Sequence, residues 1–223
     1  MTKVRISETD RGIQGEFTVA SYDLMQRNLR DRGWIETRAL LEHGITGGYV
    51  LEIGHGPGYL GLEWLKHTQG TSLAGLDISP EMQELAGRNA LSYGLAPRAH
   101  YHLGSCDQLP FEQCTFEAVF TNGSLHEWAE PRGAFDEIWR VLKPGGKYFI
   151  SDLRRDMNPL LSGFLWLFMS PASMRPGLIT SIQAAYTPQE LHHMVAETKL
   201  KNSQIEENLI GVTIWGTKGA TPS

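Results

Sequence analysis

The run Tyr49-Val50-Leu51-Glu52-Ile53-Gly54-His55-Gly56-Pro57-Gly58 decides the fold of this chain. Its first five residues form a short, mostly apolar stretch bounded by glycines, which is the pattern of a buried strand. The glycines that follow permit a tight turn and let backbone N–H groups approach a ligand closely. Leu60 to His67 then takes up helical spacing, so the run reads as strand, glycine turn and helix.

Outward from this unit the same rhythm continues. Ser72 to Ile78 reads as the next strand, and Pro80 opens a helix to about Tyr93 with Ser79 as its N-cap. Arg98 to Leu103 alternates like a strand, Phe116 to Thr121 is a further strand, and Arg132 to Leu142 is a helix. The Pro144-Gly145-Gly146 turn launches a strand over Lys147 to Leu153. Upstream, residues 1–20 are polar and glycine-interrupted and are expected to be extended or partly disordered. Ser21 to His43 has helical spacing that Gly33 breaks in two. After Leu153 the rhythm lapses for some thirty residues, and Pro159 to Pro171 is strongly apolar. Thr187-Pro188 with Glu190 is a capping box that opens another helix. Two strands, Ser203–Asn208 and Val212–Thr217, close the chain with Gly211 between them.

Strands alternating with helices at this spacing predict an α/β three-layer sandwich around a mostly parallel seven-stranded sheet with right-handed crossovers and an antiparallel C-terminal hairpin. A single domain over residues 1–223 is expected. Within it, residues 1–47 form a helical cap, 48–154 the ligand-binding core, 155–186 a lid insertion, and 187–217 the last helix and strands.

The 223 residues are 41% apolar and 20% charged, enough to bury a real core. A net charge of −5 disfavours a free-standing nucleic-acid binder. Two cysteines, Cys106 and Cys114, are too few for a disulfide framework or a four-cysteine zinc site. Met1 to Asp10 is polar, and no apolar run reaches the length of a membrane span, so a cytoplasmic protein is expected. His100 and His102 share a strand face, but no third ligand accompanies them, so no metal is expected.

Two acids give the glycine turn its chemistry. Glu52 ends the first strand, where it is expected to face the ligand. Asp77 ends the second, 19 residues after Gly58 (77 − 58), where a carboxylate can hold the two hydroxyls of a ribose. Gly56-Pro57-Gly58-Tyr59-Leu60-Gly61 also satisfies the dinucleotide fingerprint, so an NAD-dependent oxidoreductase is a rival reading. Against it, Glu52 would repel a pyrophosphate at the helix N-terminus and Pro57 removes an N–H donor. The turn also lies some fifty residues into the chain. A ligand with a cationic end and a ribose, such as S-adenosylmethionine, suits the two acids better.

At this point VLEIGHGPG, GLDISPEM, GSCDQLPF and EIWRVLKPGGKYFISD, in that order, resemble the motifs of class I S-adenosylmethionine-dependent methyltransferases. The branch most similar contains the ubiquinone and menaquinone C-methyltransferases and related small-molecule enzymes. The resemblance implies a Rossmann-like fold, S-adenosylmethionine as donor and S-adenosylhomocysteine as product. It implies that Glu52 and the turn at Gly54, Gly56 and Gly58 face the methionine moiety, that Asp77 holds the ribose and that Ile78 packs on adenine. Many relatives have Gly-Asp-Ala where this chain has Gly104-Ser105-Cys106. Either Ser105 accepts the adenine N–H or Asp107 swings in, while the Cys106 amide serves the ring nitrogen. Asn122 is placed for the methionine end.

The acceptor is harder to read, because methyl transfer needs alignment and exclusion of water more than catalytic side chains. His126 is a candidate base, set against a packing role. Tyr22 is a candidate to close over the donor, or else a core aromatic. Asp152, Arg154 and Arg155 could hold an anionic acceptor, or form ordinary surface charge. Asn122-Gly123-Ser124-Leu125 lacks the Asn-Pro-Pro-aromatic signature of nucleic-acid amino-methylating enzymes, so a small, apolar or aromatic acceptor and no nucleic acid are expected. The run Phe164 to Met169 could line its pocket, touch a bilayer transiently, or pack on the core. A non-catalytic S-adenosylmethionine-binding scaffold or sensor is the remaining alternative.

Overall fold

Alternate side chains of β1 (Tyr49–Ile53) enter two different cores, Val50 on one face of the sheet and Leu51 and Ile53 on the other. The computed structural model that shows this describes residues 4–7 and 15–219. Before β1 come α1 (Glu16–Asp31) and α2 (Thr37–Glu42). After it the chain alternates through α3 (Tyr59–Lys66), β2 (Ser72–Asp77), α4 (Pro80–Ser92), β3 (Ala99–Leu103), β4 (Phe116–Asn122), α5 (Pro131–Val141) and β5 (Leu142–Leu153). Then α6 (Pro159–Phe168), α7 (Arg175–Ala184) and α8 (Pro188–Ala196) precede β6 (Gln204–Glu207) and β7 (Gly211–Thr217).

The seven strands form one sheet in the order β3-β2-β1-β4-β5-β7-β6. The first five in that order run parallel, and β7 runs antiparallel to both β5 and β6. One face packs Leu40 of α2, Leu62, Trp64 and Leu65 of α3 and Ala90 of α4 against Val50, Leu73, Phe120 and Phe149. The other packs Phe135 and Ile138 of α5 and Leu191 and Val195 of α8 against Leu51, Leu76, Val119 and Ile214. This is the predicted three-layer Rossmann-like sandwich with its antiparallel end.

Local chemistry starts and stops these elements where the sequence says. The Ser79 hydroxyl accepts the Met82 amide at 3.2 Å, so it caps α4 and Pro80 occupies the first helical position. Thr187 and Glu190 exchange hydrogen bonds with each other's amides, the capping box that begins α8.

Three expectations change. α1 begins at Glu16, directly after Gly15, so residues 16–20 are helical rather than extended. Within residues 1–14 only 4–7 are described. There Arg5 is anchored, its Nε donating to the Ala184 carbonyl at 2.6 Å and Nη2 to that of His126 at 2.9 Å. β5 already starts at Leu142, because Pro144-Gly145-Gly146 bulges within the strand instead of preceding it; the register jumps between Phe116↔Leu142 and Ala118↔Lys147. The apolar stretch after Pro159 ends as helix at Phe168, and α7 follows as a separate helix. No residue of α6 is buried, so the alternative in which this helix packs on the core gives way to a helix with an exposed apolar surface. No described helix is long and apolar enough to cross a membrane.

Candidate active site

Crossovers from β1 lead to β2 and β3 on one side, whereas β4 and β5 lie on the other. The turns leaving β1 and β4 therefore part at the carboxyl ends of the strands and open a crevice. A cavity of about 210 Å³ occupies it. The turn after β1 contributes Gly54 and Gly56, the end of β2 Asp77 and Ile78, and the loop after β3 Ser105, Cys106 and Asp107. Gly123, Ser124 and Glu127 line it from beyond β4, and Tyr22 of α1 from above.

At Gly54 the backbone has φ +67°, and a Cβ would stand 2.6 Å from that of Ser124. Only glycine lets the β1 and β4 turns come this close. The Gly56 amide donates to Asp77 Oδ2 and the Ser79 amide to Asp77 Oδ1, each at 2.9 Å. Both carboxylate oxygens are thus oriented by backbone donors while Asp77 still lines the cavity. The Tyr22 ring lies over the turn, its Cε1 3.2 Å from where a Gly56 Cβ would stand, and its hydroxyl accepts from Gln26 Nε2 at 3.0 Å. Burial, then the Glu127 charge, holds the Tyr22 phenol well above its ordinary pKa, so it is a neutral wall and no base.

Across the cavity, Ser105 Oγ accepts the Asp107 amide at 3.3 Å. The thiol of Cys106 donates to Asp107 Oδ1 at 3.7 Å and is pushed up in pKa by burial and then by Asp107. It is a packed, protonated thiol without nucleophilic character. Leu76, Met82 and Trp128 supply buried apolar wall beside Ile78.

A second cavity of about 470 Å³ lies against α6 and α7, with Met25, Leu29, Phe164, Leu165, Phe168 and Leu178 among its apolar walls. Asn122, Ser151 and Asp152 bring polar groups to its inner end. Gly123 lines both cavities, so they meet at the carboxyl end of β4.

The structure therefore brings Tyr22, Gly54, Gly56, Asp77, Ile78, Ser105 and Cys106 around one space, and Asn122 to the adjoining one. Gly58 lines neither; it is the left-handed residue that caps α3. Glu52 does not face the cavity as expected. Period two places it on the Val50 face, under α3, where it is 3% exposed and close to Gly61. His126, the candidate base, is 4% exposed and lines neither cavity. Its Nδ1 is 2.9 Å from Asp152 and its own amide donates to Asp152 at 2.7 Å, a clamp between β5 and the turn after β4. Nor are the two arginines an anion site. Arg154 is paired with Asp156 and Glu207, and Arg155 with Glu190. Glu127, which also lines the first cavity, carries no motif signal of its own; it directly follows His126 in the turn after β4.

Among the described residues three carboxylates, Asp77, Asp107 and Glu127, line the first cavity, and no lysine or arginine does. Such a lining repels a pyrophosphate and suits a nucleoside with a positive charge, which removes the NAD reading. An α/β sandwich with this site at its switch point defines the class I S-adenosylmethionine-dependent methyltransferases. Comparison with known proteins agrees. Residues 51–150 match the family model described as "Methyltransferase domain". The chain is 30% identical to the uncharacterized methyltransferase YdaC of Bacillus subtilis over 141 residues, 63% of this chain and 74% of that protein. It is 28% identical over 205 residues to the ubiquinone/menaquinone biosynthesis C-methyltransferase UbiE of Geotalea daltonii, 88% of this chain and 87% of that one. A putative S-adenosyl-L-methionine-dependent methyltransferase of Methanococcus maripaludis shares the fold, with TM-score 0.73 and 22% identity over 100% of this chain and 99% of that one. The chain belongs to the S-adenosylmethionine-dependent methyltransferases, in their UbiE-like branch, and is an enzyme that uses S-adenosylmethionine.

Proposed function

We propose that the cavity under the lid takes the methyl acceptor, and that this acceptor is a small apolar or aromatic molecule. The observation that carries the reading is the shared wall at Gly123, which puts a mostly apolar space of about 470 Å³ against the donor cavity. In the donor cavity Asp77 would hold the ribose hydroxyls and Ile78 would pack on adenine. Ser105, Asp107 and the Cys106 amide would read the adenine edge, and the amides of Gly54 and Gly56 would meet the methionine end. Bound there, S-adenosylmethionine supplies an electrophilic methyl group on a cationic sulfur for in-line displacement. The protein's part is to align the two molecules and exclude water. Tyr22 closes over the donor, and Asn122 and Ser151 orient the acceptor. With His126 held by Asp152 away from both cavities, the acceptor brings its own nucleophile and gives up its proton to solvent before the site closes.

The lid also turns Leu160 and Leu167 outward, 84% and 57% exposed. This surface fits transient contact with a bilayer from which a lipophilic acceptor is collected. The deciding experiment is a screen of quinols, phenols, carboxylic acids and amines, together with nucleic acid, for methyl transfer from labelled donor. Apolar phenols or quinols are expected to be methylated; labelling of nucleic acid alone would refute the reading. Sedimentation with phospholipid vesicles, lost in Leu160→Glu/Leu167→Glu, tests the membrane contact.

A further inference from the structure

Glu52 is buried directly behind the donor cavity, one residue before Ile53 and Gly54, which line it. Among the described residues its Oε2 has no hydrogen-bond partner. A Cβ on Gly61 would stand 2.3 Å from that oxygen, so α3 can lie against the carboxyl only because residue 61 has no side chain. Among the described residues the surroundings hold no compensating cation. From β2 comes Asp77, a like charge, and from α3 the Gly61 amide. Tyr101 of β3 has a hydroxyl that is likewise buried without a partner, and burial, then Glu52, raises its phenol. The ring of His55 packs 4.7 Å from that of Tyr101; burial lowers its imidazole, against the pull of Asp77, and keeps it neutral. Burial first, and then Asp77, pushes the Glu52 carboxyl up to about 8 against the Gly61 amide.

We propose that Glu52 is the charge sensor of the donor site, a neutral acid in the empty enzyme that ionises when the cationic donor binds and regains its proton when the methyl group has left. A positive charge in the cavity acts on this carboxyl through a water-poor interior, where Coulomb interactions are strong. S-adenosylmethionine carries a sulfonium; S-adenosylhomocysteine has a neutral sulfur. The ionised carboxylate therefore favours donor over product, and its reprotonation helps the product leave. Glu52 acts without touching the reacting atoms and is a specificity-determining residue. This inference rests on the donor assignment of the cavity.

Calorimetry of both ligands with the wild type and Glu52→Gln, at pH 6 and pH 8 and in buffers of differing ionisation heat, tests it. The variant carries a permanently neutral group of the same shape. In the wild type the preference for S-adenosylmethionine over S-adenosylhomocysteine is expected to grow about tenfold from pH 6 to pH 8 relative to the variant. At pH 7 the wild type should release about half a proton or more per donor bound beyond what the variant releases. The donor's own amino group titrates near neutrality but does so in both proteins and cancels in the difference. Equal proton release by the two proteins would overturn the proposal. Should the variant fold poorly, infrared spectroscopy of the wild type decides instead. The carbonyl band of a buried protonated acid must vanish with S-adenosylmethionine and persist with S-adenosylhomocysteine; a band unchanged by both refutes the sensor. If neither ligand binds the wild type, the donor assignment fails and not the inference alone.

Discussion

The Gly56 amide donates to the Asp77 carboxylate at 2.9 Å across 21 residues of sequence, so the acid that ends β2 also holds the glycine turn that follows β1. Asp77 Oδ1 meanwhile accepts the Ser79 amide at the N-cap of α4. One side chain thus fixes the turn, the helix start and a wall of the first cavity. Asp77→Ala removes all three. The lost charge-assisted hydrogen bonds are worth roughly 1.5–3 kcal/mol, so affinity for S-adenosylhomocysteine should drop by about one to two orders of magnitude in a calorimetric titration. Asp77→Asn should lose nearly as much, because its amide nitrogen cannot accept from one of the two N–H groups. An affinity unaltered in both variants would dismiss the ribose assignment.

Stability should carry the mark of Glu52 as well. Its carboxyl is raised to about 8 in the folded chain, against 4.5 for the free group. The folded state therefore holds more protons than the unfolded state between these values, and stability falls as pH rises through that window. The contribution is complete below pH 4.5 and has been lost by the time pH passes 8. Glu52→Gln removes the dependence. Its melting temperature should match the wild type near pH 5 and exceed it near pH 8, where the wild type has lost stability of the order of a few kcal/mol. Parallel melting curves at the two pH values would show that Glu52 ionises freely in the empty protein.

His126 invites a contrast between clamp and base. Asp152 is buried, and its oxygens accept from the His126 amide, from Nδ1 and from the Leu153 amide. Removing the imidazole in His126→Ala leaves the carboxylate short of a donor, which costs about 1–3 kcal/mol and should lower the melting temperature by several degrees. Donor affinity should change little, and a variant that remains folded should keep most of its kcat. A fall in kcat of a hundredfold or more at unchanged melting temperature would restore the histidine as base.

These cases show what was legible in the chain and what was not. Strand period, the glycine turn, the Ser79 cap and the Thr187 box are local, and the structure has each at the residue where the sequence places it. Asp77, Ile78 and Gly54 line one cavity because the carboxyl end of a strand at a switch point is a predictable address for a crevice. Glu52 was read as a ligand group from its position along β1, yet its orientation follows the same period two that puts Val50 under α3. His126 and Arg155 depend on Asp152 and Glu190, partners 26 and 35 residues away, and no local pattern announces them.

The lid offers the clearest separation of the two substrates. Phe164 and Phe168 stack at 4.4 Å on α6 and line the cavity under it, whereas neither reaches the donor cavity. Replacing both with alanine removes two aromatic walls, each of which contributes about 1–2 kcal/mol to an apolar ligand that buries against it. Because neither residue is buried in the fold, the melting temperature should barely move. Donor affinity should stay within about twofold, since the donor-lining residues come from other elements. KM for an apolar acceptor should rise by about tenfold or more, with kcat much less affected, as expected when binding energy shared by ground and transition states is removed. An unchanged acceptor KM in a folded double variant would place the acceptor elsewhere and leave α6 as a surface helix.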